Sequence, residues 1–224
     1  MKNKNMVILN GSPRKKGTSY SFSLTIKKLV EERGSKAEIV HIIDYYDGNK
    51  DLKDLGSLIS ACDIVGLVCP YYVDTLPSPV IWLFEKIRSE FAETIKGKGF
   101  FAVSQNGFPD ISLFKAILGT CRCFSESVGM NWLGGLAYGG GAIINGKLME
   151  DLGKKGAKIT SGFKAAVNDI LEGKCISHEA QELLTVKVPK IAYRPFAAIL
   201  NHMSRSTAKK MGAKDIYRKV YLED

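Results

Sequence analysis

The sequence lacks the features that mark membrane-embedded, secreted and disulfide-stapled proteins. None of its 224 residues lies in an apolar stretch as long as a membrane span. The first apolar run, Met6–Leu9, is too short for the core of a secretory signal peptide. The five cysteines are odd in number and scattered, which is atypical of a disulfide framework. By elimination, we expect a cytoplasmic protein.

The signatures of several catalytic classes are missing too. His41, His178 and His202 lie far apart without metal-ligand spacing, so no metal site is predicted. There is no G-x-S-x-G motif for a serine nucleophile. Cys121 falls on the apolar side of a predicted helix, which favours packing over redox chemistry. We predict no side chain that acts as an essential acid or base.

Positive charge is present but unevenly distributed. The net charge is +9, and the segment Thr185–Asp224 contains nine Lys or Arg against three Asp or Glu. A nucleic-acid-binding domain would spread or stripe this charge over the fold, so no nucleic acid partner is expected.

Short apolar runs alternate with segments of helical periodicity. The predicted strands are 6–9, 38–43, 64–69, 100–103 and 132–138, each followed by a helical pattern. This alternation predicts an α/β protein, a parallel sheet covered by helices on both faces. Five strands favour the smaller doubly wound order, 2-1-3-4-5. The strands fall within residues 1–175, and we interpret residues 176–224 as a basic, partly helical C-terminal extension rather than an independent domain.

The loop after the first strand has the composition of an anion site. Ligands of open parallel sheets bind at the carboxyl ends of the strands, where the strand order reverses. This first loop, Gly11–Ser19, combines glycines, hydroxyls and Arg14 and runs directly into a helix, whose free N–H groups suit a phosphate. It matches neither Walker A nor G-x-G-x-x-G. A plain turn with Thr18 or Ser19 as the helix cap explains the same residues, so both interpretations stay open.

Two further loops share that edge of the predicted sheet. In the second loop, Pro70–Pro77, two tyrosines either lie along a planar ring or cover the rim of the core. The third loop, Ser104–Gly107, suits the polar edge of a heteroaromatic ring, or is a polar turn. Gly139–Gly141, after the fifth strand, allows a sharp turn or leaves room for a nicotinamide or substrate.

Together these motifs resemble the NADPH-dependent FMN reductase-like group of flavodoxin-fold proteins, which includes relatives of the iron–sulfur flavoproteins. The resemblance rests on Gly11-Ser12-Pro13-Arg14-Lys15 with Gly17-Thr18-Ser19, on Pro70-x-Tyr72 and on Ser104–Gly107. It implies a five-stranded flavodoxin-like sheet, non-covalent FMN, and a homodimer with the flavin near the interface. It also implies hydride transfer from NAD(P)H to the flavin, and then electrons to another flavin, a quinone or a similar small acceptor.

The resemblance assigns cofactor-binding residues as well. The phosphate contacts are Ser12, Arg14, Gly17, Thr18 and Ser19, and the isoalloxazine contacts are Pro70, Tyr71, Tyr72, Val73, Ser104, Gln105, Asn106 and Gly107. Val73, Asp74 and Ile81 stand where the family often has an aromatic residue, a glycine and a lysine. The segment Asp44–Ala61 contains no cysteine, so the cluster of the iron–sulfur members is not expected.

Two other functional classes remain open. The first is a flavodoxin-type electron carrier or another FMN-binding protein without its own NAD(P)H activity, and the second is a flavodoxin-fold protein without flavin. Carriers of this kind are usually strongly acidic, whereas this chain is basic, so the enzyme is preferred.

The basic extension carries an apolar patch at Phe196–Leu200. We interpret it as an anchor that packs on its own subunit or helps to close a dimer. A membrane-surface helix and attraction of the NADPH phosphates are the alternatives. Pro189 and Pro195 predict that its helix is short.

Overall fold

A computed structural model describes residues 3–187 and 189–217, apart from the side chains of Lys190 and Phe196. Its centre is a sheet of β1 (Asn5–Asn10), β2 (Lys36–His41), β3 (Ile64–Pro70), β4 (Gly99–Asn106) and β5 (Asn131–Gly139). The order is β2-β1-β3-β4-β5, and every neighbouring pair is parallel. The predicted flavodoxin-like, doubly wound five-stranded sheet is therefore confirmed.

Helices connect the strands and cover both faces of the sheet. They are α1 (Thr18–Glu32), α2 (Ile42–Tyr46), α3 (Leu52–Ala61), α4 (Ser78–Lys86), α5 (Ala92–Ile95), α6 (Lys115–Ser127), α7 (Gly153–Leu171), α8 (His178–Leu184) and α9 (Tyr193–Lys210). A π-helical turn, Ile87–Phe91, joins α4 to α5. Short 3-10 turns lie at Ile111–Phe114, Gly141–Ile143, Glu150–Leu152 and Lys190–Ala192.

Several predicted boundaries are wrong. The largest shift is in β4, which ends at Asn106 instead of residue 103, so Ser104, Gln105 and Asn106 of the third loop form the end of this strand and pair with β5. The second strand ends at His41 instead of residue 43, because its neighbour β1 ends at Asn10, directly opposite His41. Ile42 then starts α2 and is fully buried. Gly17, rather than Thr18 or Ser19, is the N-cap of α1.

Alternating residues of the strands supply two cores, one on each face of the sheet. Met6 and Ile8 pack with α1 and α7, whereas Val7 and Leu9 pack with α3, α4 and α6. Phe22 of α1 is fully buried in the first core, with its ring edge-on to Tyr138 at 5.2 Å and to Phe163 at 4.9 Å. These contacts fix the start of α1 against the sheet.

The described chain divides into two compact units after Val186. The first unit includes α8, whose Gln181 side chain hydrogen-bonds to both the N–H and the C=O of Ala137, at 2.8 and 2.9 Å. These bonds satisfy the backbone of the edge strand β5 at Ala137, where the sheet has no sixth strand.

The second unit contains α9. At 18 residues this helix is longer than predicted, because Pro195 lies in the first turn, where the missing N–H costs no helical bond. Of the predicted extension, Val188 and residues 218–224 lie outside the described residues. Over residues 3–187 and 189–217, no helix is long and apolar enough to cross a membrane.

Two glycine substitutions test the packing of the sheet. Gly66 of β3 is in register with Phe101 of β4, and an added Cβ would stand 2.3 Å from the Phe101 ring. We expect Gly66→Ala to lower the free energy of unfolding by about 1–3 kcal/mol. Gly119→Ala on α6, where an added Cβ meets nothing within 4 Å, should instead raise it by up to about 1 kcal/mol. Urea unfolding measures both, and equal effects would contradict the packing described.

Candidate functional site

The loops at the carboxyl edge of the sheet enclose a cleft of about 510 Å³, a volume typical of small-molecule sites. Nine of the thirteen predicted cofactor-binding residues line it: Arg14, Thr18, Pro70, Tyr71, Tyr72, Val73, Gln105, Asn106 and Gly107. The other four, Ser12, Gly17, Ser19 and Ser104, are buried and do not belong to its lining. The three loops thus meet at one place, as the sequence predicted.

Side chains of the strand end shape the first loop. The carboxamide oxygen of Asn10 accepts a hydrogen bond from the Ser12 N–H at 3.1 Å, and Ser12 Oγ accepts one from the Arg14 N–H at 3.2 Å. Gly11 is needed for close packing, since an added Cβ would lie 2.5 Å from Val80 of α4. The loop is therefore held in shape by its own protein contacts.

The amino end of α1 is open to an anion. The helix has no side-chain cap and no acidic residue in its first turn. Its first backbone bond runs from Ser21 N–H to the Gly17 carbonyl at 3.0 Å, so the preceding N–H groups of Thr18 to Tyr20 have no helical acceptor. Arg14 is exposed beside this turn and adds positive charge. Backbone donors, helix dipole and guanidinium together fit a phosphate.

The Thr18 side chain joins the first loop to the loop after β5. Its hydroxyl donates to the Gly141 carbonyl at 2.7 Å and accepts from the Asn145 N–H at 3.2 Å. Since the single hydroxyl proton is already donated, Thr18 offers a ligand its backbone N–H rather than its hydroxyl. Ser19 Oγ likewise lies inside, 3.5 Å from the Gln105 amide nitrogen.

The second loop contains a tight hairpin turn. Tyr72 and Thr75 exchange both backbone hydrogen bonds, at 3.3 and 3.0 Å, and φ is 44° at Val73 and 63° at Asp74. Two successive positive φ angles define a type I′ turn, which usually has glycine at its second central position. Asp74 stands at that position and accepts a hydrogen bond from the Tyr71 hydroxyl. Val73 projects into solvent at the mouth of the cleft, 91% exposed.

Asn106, in the third loop, presents an unused hydrogen-bond donor. Its oxygen accepts from the Phe108 N–H at 3.0 Å, but its buried amide nitrogen has no partner among the described residues. Buried donors are rarely left unpaired, and Asn106 is one of the residues that line the cleft, although this nitrogen has almost no exposed surface of its own. It points to a ligand with a hydrogen-bond acceptor. The Tyr71 N–H, bonded to the Gln105 carbonyl at 2.8 Å, ties the second and third loops together.

The glycine cluster after β5 serves close packing and a sharp turn. An added Cβ at Gly139 would stand 2.6 Å from backbone atoms of Phe108 and Pro109, and one at Gly141 would stand 2.1 Å from Gln105 Oε1. Gly140 has φ 85°. Of the two interpretations offered for these glycines, the structure favours the sharp turn.

Five further residues line the cleft that the sequence analysis did not assign: Asp74, Phe108, Leu113, Ala142 and Asn145. Asn145 lies at φ 39° before Gly146, and this Asn-Gly pair was a readable turn signal. Phe108 and Leu113 are both exposed at the rim. Phe108 follows another Asn-Gly pair, Asn106-Gly107, whereas Leu113 has no such signal beside it.

A hydrogen-bonded histidine stands behind the first loop. His41 Nδ1 is 3.0 Å from the Asn10 amide nitrogen, and the Tyr20 ring lies 5.3 Å from the imidazole. Burial lowers the pKa of His41; Asp44 opposes this shift, while Lys15 and Lys50 reinforce it. A neutral His41 accepts the Asn10 hydrogen bond and so leaves the Asn10 oxygen aimed at the Ser12 N–H.

Three cysteines pack in the core, and for Cys121 this is the role predicted from the sequence. Cys62, Cys69 and Cys121 are buried, at 4%, 1% and 1% exposure. Burial raises the pKa of the Cys69 thiol to about 12, so it stays protonated at neutral pH.

Fold and loops together define a flavodoxin-like α/β protein with a candidate phosphate and ring site at the carboxyl edge of its sheet. A family model described as NADPH-dependent FMN reductase matches residues 5–108, a range that includes all three loops. The match confirms the resemblance predicted from the motifs. It supports FMN as the cofactor and an NAD(P)H-dependent oxidoreductase as the class of enzyme.

Solved structures share the fold at low sequence identity. NADH:FMN oxidoreductase (EMOB), in its apo form, has a TM-score of 0.60 at 14% identity, over 80% of this chain and 94% of that chain. RosB, with the bound intermediate 8-demethyl-8-formylriboflavin-5'-phosphate, has a TM-score of 0.56 at 16% identity, over 88% of this chain and 87% of that chain. NAD(P)H:quinone oxidoreductase from Methanothermobacter marburgensis has a TM-score of 0.57 at 12% identity, over 75% of this chain and 96% of that chain. No curated protein sequence matches this chain.

The histidine behind the first loop predicts a pH dependence of stability. Because its folded-state pKa is lowered, the unfolded chain protonates His41 first, and stability is lost as the pH falls below about 6.5. We expect His41→Gln to remove this part of the decline and the exposed control His202→Gln to keep it. Urea unfolding at a series of pH values measures the difference. A His41→Gln profile identical to wild type would refute the assignment.

Proposed function

We propose that the chain is an FMN-dependent NAD(P)H oxidoreductase whose cofactor occupies the cleft between the three loops. The single observation that carries this proposal is that two sets of hydrogen-bond donors without protein acceptors belong to the same cleft. The open amino end of α1 with Arg14 suits an anion, and the unpartnered amide of Asn106 suits an acceptor atom. A phosphorylated ring compound has both chemical features.

In this proposal the first loop holds the phosphate. The N–H groups at the start of α1 donate to it, and Arg14 contributes a charge-assisted hydrogen bond, the stronger kind in such sites. Ser12, Thr18 and Ser19 act through the backbone and by keeping the loop in shape, since their side chains are buried or already bonded. Gly17, which has no side chain, acts through its backbone alone.

The second and third loops hold the ring. Asn106, with Gln105 and Gly107, faces the polar edge of the isoalloxazine, and Pro70, Tyr71, Tyr72 and Val73 form the more apolar wall. Ser104 lies buried behind them. Bound FMN supplies the hydride chemistry, and the protein orients it and sets its surroundings. No side chain of the chain is assigned a proton-transfer step.

The reductant and acceptor follow the same reasoning. Among the structures of like fold, one is named for NADH with FMN and another for NAD(P)H with quinone. We propose NAD(P)H as the donor here and a small flavin, quinone or similar molecule as the acceptor. We also propose a cytoplasmic homodimer, and the basic net charge argues against an acidic electron carrier.

Two substitutions separate the phosphate end from the ring end. Arg14→Gln should weaken FMN binding by about 1.5–3 kcal/mol and leave riboflavin binding unchanged, because riboflavin lacks the phosphate. Asn106→Ala should weaken both ligands alike, by about 0.5–1.5 kcal/mol. Fluorescence titration with each ligand measures the effects.

The control is Lys16→Gln, which removes an exposed charge of the same loop that lies outside the cleft lining. It should bind FMN almost as wild type does. Absence of FMN binding to wild type, or equal losses of FMN and riboflavin in Arg14→Gln, would overturn this arrangement.

Direct reduction tests the enzyme against the electron carrier. We expect anaerobic mixing with NADH or NADPH to bleach the absorption of the bound flavin, because the flavin itself accepts the hydride. Stopped-flow absorbance follows the reaction. Bleaching by dithionite but by neither nicotinamide would show a carrier instead.

A further inference from the structure

The helix α9 has an amphipathic surface that the proposed redox function does not use. Its 18 residues include four Lys or Arg and no Asp or Glu. At 100° per residue, Tyr193, Ile199 and Met203 fall on one side of the helix, and Arg194 and Arg205 fall on the other.

The apolar side of α9 is exposed rather than buried. Ile199 is 58% and Met203 is 59% exposed, and Tyr193 is 41% exposed. Beyond the helix, Met211 and Tyr217 are exposed as well. Exposed apolar side chains that share one side of a helix, as Tyr193, Ile199 and Met203 do, are typical of a docking surface.

We propose that α9 docks on the surface of an anionic phospholipid bilayer, with the helix axis parallel to the membrane plane. Helices that lie in a membrane interface combine an apolar side with a polar side rich in Lys and Arg, as α9 does. Ile199 and Met203 enter the boundary between headgroups and acyl chains, while Arg194, Arg205 and Lys209 meet the lipid phosphates.

The positive charge of the C-terminal segment favours an anionic bilayer over a second copy of α9 as the binding partner. The chain from Thr185 to Asp224 has nine basic and three acidic residues, so two such segments repel each other. Anionic lipid attracts this charge at close range. A nucleic acid would satisfy the basic side chains but would leave the exposed Ile199 and Met203 without an apolar partner.

Vesicle sedimentation of the full chain tests the proposal. We expect binding to phosphatidylcholine vesicles that contain phosphatidylglycerol, weaker binding to pure phosphatidylcholine, and loss of binding at high salt. Arg205→Gln with Lys209→Gln should lower the partition coefficient about fivefold for each charge removed. Ile199→Ser with Met203→Ser should lower it about tenfold or more. All four side chains are exposed, so folding is retained.

A matched control removes two exposed charges from the first unit. Lys53→Gln with Lys154→Gln should bind vesicles as wild type does. Equal losses in this control, or no binding to anionic vesicles, would overturn the proposal. So would tighter binding to duplex DNA than to vesicles, or dissociation of an oligomer in solution by Ile199→Ser with Met203→Ser. None of these results depends on FMN binding, so the proposed redox function can fail or stand separately.

Discussion

The parallel direction of all five strands is the constraint on which the candidate site depends. Every connection leaves its strand at the same edge, so the loops after β1, β3 and β4 are neighbours although they are far apart in sequence. The strand register aligns the second and third loops as well. Pro70 pairs with Gln105, so the two loops lie side by side at the carboxyl edge of the sheet. The cleft is a consequence of topology before any side chain is considered.

Hydrogen bonds between the loops turn that proximity into a defined shape. Thr18 bonds the start of α1 to Gly141 and Asn145, the Tyr71 N–H bonds the second loop to the third, and Asn10 holds Ser12. These contacts join the start of α1, the strand ends and the loop after β5 through the protein's own groups. Around the cleft they leave the amino end of α1, the amide nitrogen of Asn106 and the buried hydroxyl of Ser104 without a described partner, and the first two are the groups that the proposed function assigns to FMN.

The strands could be predicted from the sequence because their burial requires continuous apolar runs. Runs such as Met6–Leu9 are apolar because both faces of a parallel sheet are covered, and the strands follow from them. The end of β2 was misplaced because it depends on where a distant neighbour ends, opposite Asn10. The N-cap was misplaced because Gly17 caps the helix by conformation, without a side-chain signal. Leu113 reaches the cleft only through folding and has no local pattern that identifies it, whereas Phe108 directly follows the turn signal Asn106-Gly107.

Val73 and Asp74, which differ from the residues usual in the family that the sequence resembles, are the two central residues of the hairpin turn in the second loop. The type I′ turn demands two positive φ angles, which glycine adopts without strain and β-branched valine adopts with difficulty. Asp74 tolerates the left-handed region, and its bond from the Tyr71 hydroxyl ties the turn to the strand end. Val73 has no such compensation and is held in place by the two Tyr72–Thr75 bonds. The chain therefore adopts a type I′ turn without the residues usual in that turn, and the turn places an exposed apolar side chain at the mouth of the cleft.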